Sequence, residues 1–187
     1  MKRREVNNMR KFTKFLSLAA ATCIAVSAFT ITSEAAQTDY QAQQMQQQRR
    51  PLTAEEIQAL STVFDAKFYS MMYKDIADAY GTDEQAMFTH FVTFGVWEER
   101  VPCKVFDVDA YATRNPDLHK AFGSDIMKYY MHYVQNPQER PYRPGPTKWN
   151  AFAFNEPVYS VYDFEVGSWL PRQGAAPVAF PDYHPGF

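Results

Sequence analysis

The hydrophobic and polar positions divide the chain into four stretches. An uncharged, largely apolar run from Phe15 to Ser33 follows a basic start that reaches Lys14. Residues 37–50, QTDYQAQQMQQQRR, carry almost no apolar side chains, and Pro51 closes them. Between residues 52 and 140 apolar positions recur at helical spacing: Met87, Phe88, Phe91, Val92 and Phe94 share one face, and Tyr129, Tyr130, Tyr133 and Val134 share another. From Pro141 onward, eight of the chain's 12 prolines forbid long helices. Within that last stretch Val158 to Val166 alternates in part, with Tyr162, Phe164 and Val166 on one side and Asp163 and Glu165 on the other. That pattern allows one short strand.

The apolar positions of the middle stretch are also duplicated. The segment starting at Val63 aligns with the one starting at Val105 at a constant offset of 42. Phe64, Asp65, Tyr69, Asp75, Gly81 and His90 fall on Phe106, Asp107, Tyr111, Asp117, Gly123 and His132. A two-residue deletion then brings Glu99-Arg100 onto Glu139-Arg140. The period predicts stacked helical units, 63–100 and 105–140, within a domain spanning 52–140. Asp65 and Asp107 suit the N-cap, where a carboxylate accepts from free backbone donors. Gly81 and Gly123 suit the left-handed position that ends a helix. Thr82 and Ser124 are expected to cap the next helix, Thr82 with Gln85 as a capping box. Arg100 and Arg140 close the two units, each paired with the preceding glutamate or simply solvated.

The pattern F-D-x3-Y, D-[IL]-x2-A-[FY]-G-[ST]-D, H-[FY]-V and E-R resembles a short helical repeat found in tandem in exported bacterial envelope and surface proteins. There the end often reads G-x2-E-G-R. Here Glu99 stands at the second glycine position, and unit two lacks the first glycine. The resemblance covers about residues 63–140. It implies an architectural or attachment module rather than a catalyst.

The first stretch reads as a secretory signal, residues 1–35, with small residues at Ser33 and Ala35 before a cut after Ala35, or after Ala36 as the second choice. Met9 begins a more conventional signal than Met1. The alternative is an uncleaved anchor, for which the apolar run is short and threonine-bearing. Residues 1–35 hold six of the 19 Lys/Arg and two of the 21 Asp/Glu, which leaves 13 bases against 19 acids. An acidic remainder argues against nucleic acid, which needs phosphate neutralisation, and against an anionic membrane surface. Residues 36–51 are expected as a Gln-rich linker. Cys103, the one cysteine left after the cut, has no internal disulfide partner.

The sequence therefore predicts a mainly α protein of two tandem repeats of about 40 residues, with an irregular Pro/aromatic-rich tail over 141–187. No metal or catalytic motif is present, and no cofactor is expected. His90 and His132 read as structural histidines bonded to a neighbouring loop; a secreted hydrolase using them is the least favoured reading. The tail aromatics can stack on sugar rings or anchor a protein, with Trp149, Tyr159, Tyr162 and Trp169 as candidate ligand contacts, or they can wrap the repeats. The expected function is a non-catalytic exported envelope or surface module binding cell-wall glycan or an envelope protein, without a membrane span after cleavage. The alternative is a self-assembling structural subunit.

Overall fold

The computed structural model describes residues 33–179; the side chains of residues 33–37 are not part of that description, and the expected signal segment lies, up to residue 32, outside it. The protein is mainly helical. Its helices are α1 (Ser33–Gln48), α2 (Ala54–Ser61), α3 (Ala66–Met72), α4 (Lys74–Tyr80), α5 (Glu84–His90), α6 (Val108–Arg114), α7 (Pro116–Phe122), α8 (Ile126–Gln135) and α9 (Lys148–Ala153). A π-helical turn, Phe91–Gly95, extends α5, and 3₁₀ turns cover Pro137–Tyr142 and Val161–Asp163. Among the described residues no helix is long and apolar enough to cross a membrane.

Capping chemistry sets the helix starts. Asp65 accepts from Phe68 N at 3.0 Å and Asp107 from Ala110 N at 3.0 Å, each opening the first helix of its unit. Gly81 and Gly123 end α4 and α7 with φ of 57° and 56°, a region that costs a side chain but not glycine. The cap of α5 is Asp83, which accepts from Ala86 N, and not Thr82; the capping box belongs to Thr53 and Glu56 at the start of α2. Asp83 outcompetes Thr82 because its carboxylate reaches the orphan donor with full charge at the positive end of the helix.

The core is aromatic. Tyr69, Phe91, Phe106, Tyr129, Tyr130, Tyr162 and Phe164 are fully buried. Phe64 stacks on Phe91 at 5.2 Å, Phe91 meets Tyr130 at 6.3 Å and Phe106 meets Tyr130 at 5.1 Å, so one chain of rings runs between the two units.

The tail completes this core. Asp65 N donates to Pro102 O at 3.0 Å, and Asp107 N donates to Pro146 O at 2.7 Å. The segment after unit one thus backs the start of unit one, and the tail does the same for unit two. Thr147 then caps α9 as Asp65 and Asp107 cap α3 and α6. Trp149 packs edge-on to Phe68 at 6.3 Å, and the Tyr162 hydroxyl donates to Trp97 O at 2.6 Å, so the tail touches unit one as well as unit two.

Two expectations change. Residues 33–48 form a helix rather than a flexible linker. Glutamine is a good helix former, and neither Gly nor Pro interrupts the run. The helix docks through amides instead of an apolar face: Gln41 donates to Asp163 and Gln48 to Ser124, both at 2.8 Å, and Met45 packs on the core. The strand allowed over Val158 to Val166 is absent; the described residues contain only an isolated bridge between Cys103 and Phe106. Tyr162 and Phe164 are buried as the alternation expects, but Asp163 also points inward, held by Arg172 at 2.7 Å, and Val166 is exposed, which breaks it.

Candidate functional site

The repeated histidines are tied to the repeated tyrosines. His90 Nδ1 lies 3.1 Å from the Tyr69 hydroxyl, and His132 Nδ1 lies 3.0 Å from the Tyr111 hydroxyl. The partner is the first helix of the same unit, not a neighbouring loop. Burial, then the charge of Arg100 or Arg143, depresses both imidazoles below the usual histidine range, so they stay neutral at pH 7. Burial pushes the Tyr111 phenol up to about 12. These pairs hold helices together and offer no charged acid or base.

The repeated acids are likewise engaged. Arg100 binds Asp75 at 2.8 Å and Glu98 at 2.8 Å, with its guanidinium 4.8 Å from the Tyr73 ring. In unit two the matching contacts come from Arg143, which binds Asp117 at 3.1 Å and Glu139 at 2.7 Å. Arg140, aligned with Arg100 in sequence, instead donates to Tyr133 O and lies over the Tyr133 ring. Arg143 directly follows the 3₁₀ turn at Pro137–Tyr142 and stands three residues beyond Arg140.

Glu99 turns inward. Its φ is 55°, the backbone region expected where the resembling pattern has glycine. Its carboxyl accepts from Ser160 Oγ at 2.5 Å and shares a hydrogen bond with Asp109. Lys148 Nζ sits 2.9 Å from Asp109 and 3.0 Å from Asp107. Asp107, Asp109 and Lys148 are buried and Glu99 is partly buried, three carboxyl groups against one base. Burial first, then the charge of Asp109, pushes Glu99 well above the usual carboxyl range. Burial alone would depress Lys148, but Asp107 and Asp109 more than reverse that, and the ammonium is held charged. The cluster bridges unit one, unit two and the tail as a keystone, apart from the grooves along α1, at Trp169 and at Phe64.

Glu99 keeps its proton in the folded chain at pH values where the unfolded chain has lost it. Stability from this residue is therefore full below about pH 4.5 and declines as pH rises toward the folded value, by about 1.4 kcal/mol per pH unit of that window. Glu99→Gln, which retains the Ser160 bond, is expected to gain stability relative to wild type as pH rises from 5 to 8. Paired urea melts at the two pH values measure it; a constant difference between the proteins would contradict the protonated assignment.

The open site lies between α6, α7 and the tail. A groove of about 360 Å³ is walled by Pro116, Pro157, Tyr159, Trp169, Leu170 and Pro171, with buried His119 and Phe164 as its floor. Trp169 is 56% exposed and Leu170 71%. Lys120 Nζ lies 4.1 Å from the Trp169 ring centroid. Arg114 at the rim is neutralised by Glu156 at 2.7 Å and by the carbonyl of Gly145. A larger groove of about 620 Å³ runs along α1, with glutamines and the charged Arg50, Asp125, Lys128 and Glu165 around the rings of Tyr40, Trp97, Phe122 and Phe164.

Of the four candidate ligand contacts, Tyr159 and Trp169 meet in the first groove. Trp149 and Tyr162 are core residues, 6% and 2% exposed. Both are aromatics of the tail that wrap the repeats instead of facing a ligand. His119 was not singled out; the only sequence signal is that unit one has Ala77 at the matching position. Cys103 is buried, and burial raises its thiol above the usual range. Among the described residues no group of His, Cys, Asp or Glu is placed to hold a metal ion. Comparison of the chain with known families, curated proteins and solved structures finds no match.

Proposed function

We propose that the chain is a non-catalytic, exported envelope or surface module that binds cell-wall glycan or an envelope protein. The observation that carries this reading is the groove at Trp169. It leaves aromatic and proline surface open to solvent, while the repeated histidines and the buried carboxyl cluster are committed elsewhere. His90 and His132 are bonded to tyrosines, and Glu99, Asp107, Asp109 and Lys148 are sealed in one cluster. Open aromatic surface on a well-packed scaffold is the physical profile of a binding face. The expected result is that the chain lacking residues 1–35 pellets with isolated cell-wall sacculi or is retained by an envelope protein fraction. A chain that stays in solution with every envelope fraction would refute the reading.

Self-assembly is the second reading, supported by Phe152 and Phe154, which stand 56% and 70% exposed on and beside α9. Burial of Cys103 removes the intermolecular disulfide as its device. Sedimentation equilibrium separates the two, with a monomer at all concentrations expected for the binding module.

A further inference from the structure

The floor of the Trp169 groove contains an unmet hydrogen-bonding group. His119 is 3% exposed, and its ring stacks on Phe164 with centroids 4.3 Å apart and planes 13° apart. Its Nδ1 lies 3.1 Å from the carbonyl oxygen of Ala112, which can only accept, so Nδ1 carries the hydrogen. In the neutral ring Nε2 is then an acceptor, and among the described residues it has no hydrogen-bond partner. A buried acceptor without a donor is costly, and such atoms stand out at sites completed by a ligand or water. The Tyr159 hydroxyl, on the wall, also makes no hydrogen bond to a described residue.

The groove thus offers an aromatic platform, a hydroxyl, an imidazole acceptor and, at the rim, the half-exposed Glu156 carboxylate. Arg114 is already paired with Glu156, and the Lys120 ammonium is engaged against the Trp169 ring, so neither cation beside the groove is a ready anion site. The matching ligand is neutral, has an apolar ring face and presents several hydroxyl or amide donors. A proline-rich peptide meets the apolar part but lacks backbone N–H donors at its prolines and leaves Nε2 unpaired. An N-acetylated amino sugar meets both: its C–H face suits Trp169, its methyl suits Leu170 and the prolines, and its hydroxyls and amide are donors.

Resting on the proposed glycan-binding function, we infer that this groove is a subsite for one N-acetylated amino-sugar unit, with Trp169 as stacking platform and Tyr159 and His119 as its polar contacts. Lys120 holds the indole in place from one side, as an ammonium does over an aromatic face. The site belongs to unit two and the tail together; unit one, with Ala77 in place of His119, has no counterpart.

The test is calorimetric titration of the chain lacking residues 1–35 with a soluble tetramer of N-acetylglucosamine. Saturable binding is expected for wild type, with at least a tenfold loss in Trp169→Ala and a smaller loss in Tyr159→Phe, both on exposed or half-exposed positions that leave the core intact. Equal affinity in Trp169→Ala overturns the subsite. Wild type that ignores the tetramer but pellets with sacculi also overturns it while leaving the proposed function standing; wild type that does neither overturns both. Competition of the tetramer by a proline-rich peptide at lower concentration would assign the groove to a protein partner and overturn the sugar assignment.

Discussion

Replacing Lys148 with methionine is expected to lower stability by about 3–5 kcal/mol, the range for removing one partner of a buried ion pair. Methionine fills nearly the same volume, so the loss is electrostatic rather than a cavity effect. Without the ammonium, Asp107 and Asp109 face each other and Glu99 in a sealed interior with no compensating charge. Asp107 also caps α6, its Oδ1 accepting from Ala110 N, so a shift of the stranded carboxyl also loosens the start of that helix. The cluster joins Glu99 at the end of unit one, α6 of unit two and α9 of the tail. The damage is therefore expected in the global transition, not in local fraying. Denaturant melts of the variant measure it, and a loss below about 1 kcal/mol would show that the tail is not keyed to the repeats through this lysine. Adding Asp109→Asn to the variant should recover part of the loss, since it removes one stranded charge.

Phe106→Ala is expected to cost about 3–5 kcal/mol, the cost of truncating a buried aromatic ring. The ring is fully buried and meets Tyr111, Tyr130 and Tyr133 at centroid distances of 5.4, 5.1 and 4.3 Å. Phe64, its partner in unit one, occupies the same sequence position and also sits among rings, but it is only half-buried and lines a surface groove. Phe64→Ala should therefore cost distinctly less. Equal losses in the two variants would contradict the reading that unit two, covered by the tail, is the central layer and unit one the outer one.

That contrast marks what the sequence could reveal. Position within the repeat was legible: the caps at Asp65 and Asp107, the left-handed glycines at Gly81 and Gly123, and the helical faces around Phe91 and Tyr130 all follow from local rules acting within a few residues. The partners of those positions were not. Tyr69 meets His90, and Tyr111 meets His132, across 21 residues of chain, a distance over which spacing carries no geometric information. Arg143 takes the role of Arg100 although the alignment puts Arg140 there: the two unit ends differ by a deletion and in backbone path, so matching letters do not mark matching positions in space. Glu99 reads from the sequence as a partner of Arg100 or a solvated side chain; Arg100 instead pairs with Glu98, and the inward turn of Glu99 depends on Ser160, 61 residues away. The groove escaped for the same reason. Trp169 and Tyr159 were visible as aromatics in a proline-rich tail, but only the folded tail separates them from Trp149 and Tyr162, and only the fold brings His119 beneath them.

The most direct test of the central claim uses the three tryptophans as reporters. Trp97 and Trp149 are buried, and Trp169 stands exposed at the groove. During addition of soluble cell-wall glycan fragments, the indole N–H resonance of Trp169 should shift progressively and saturate, while those of Trp97 and Trp149 stay in place. No shift at Trp169, or a shift at all three tryptophans, would contradict a glycan-binding module with its site in that groove.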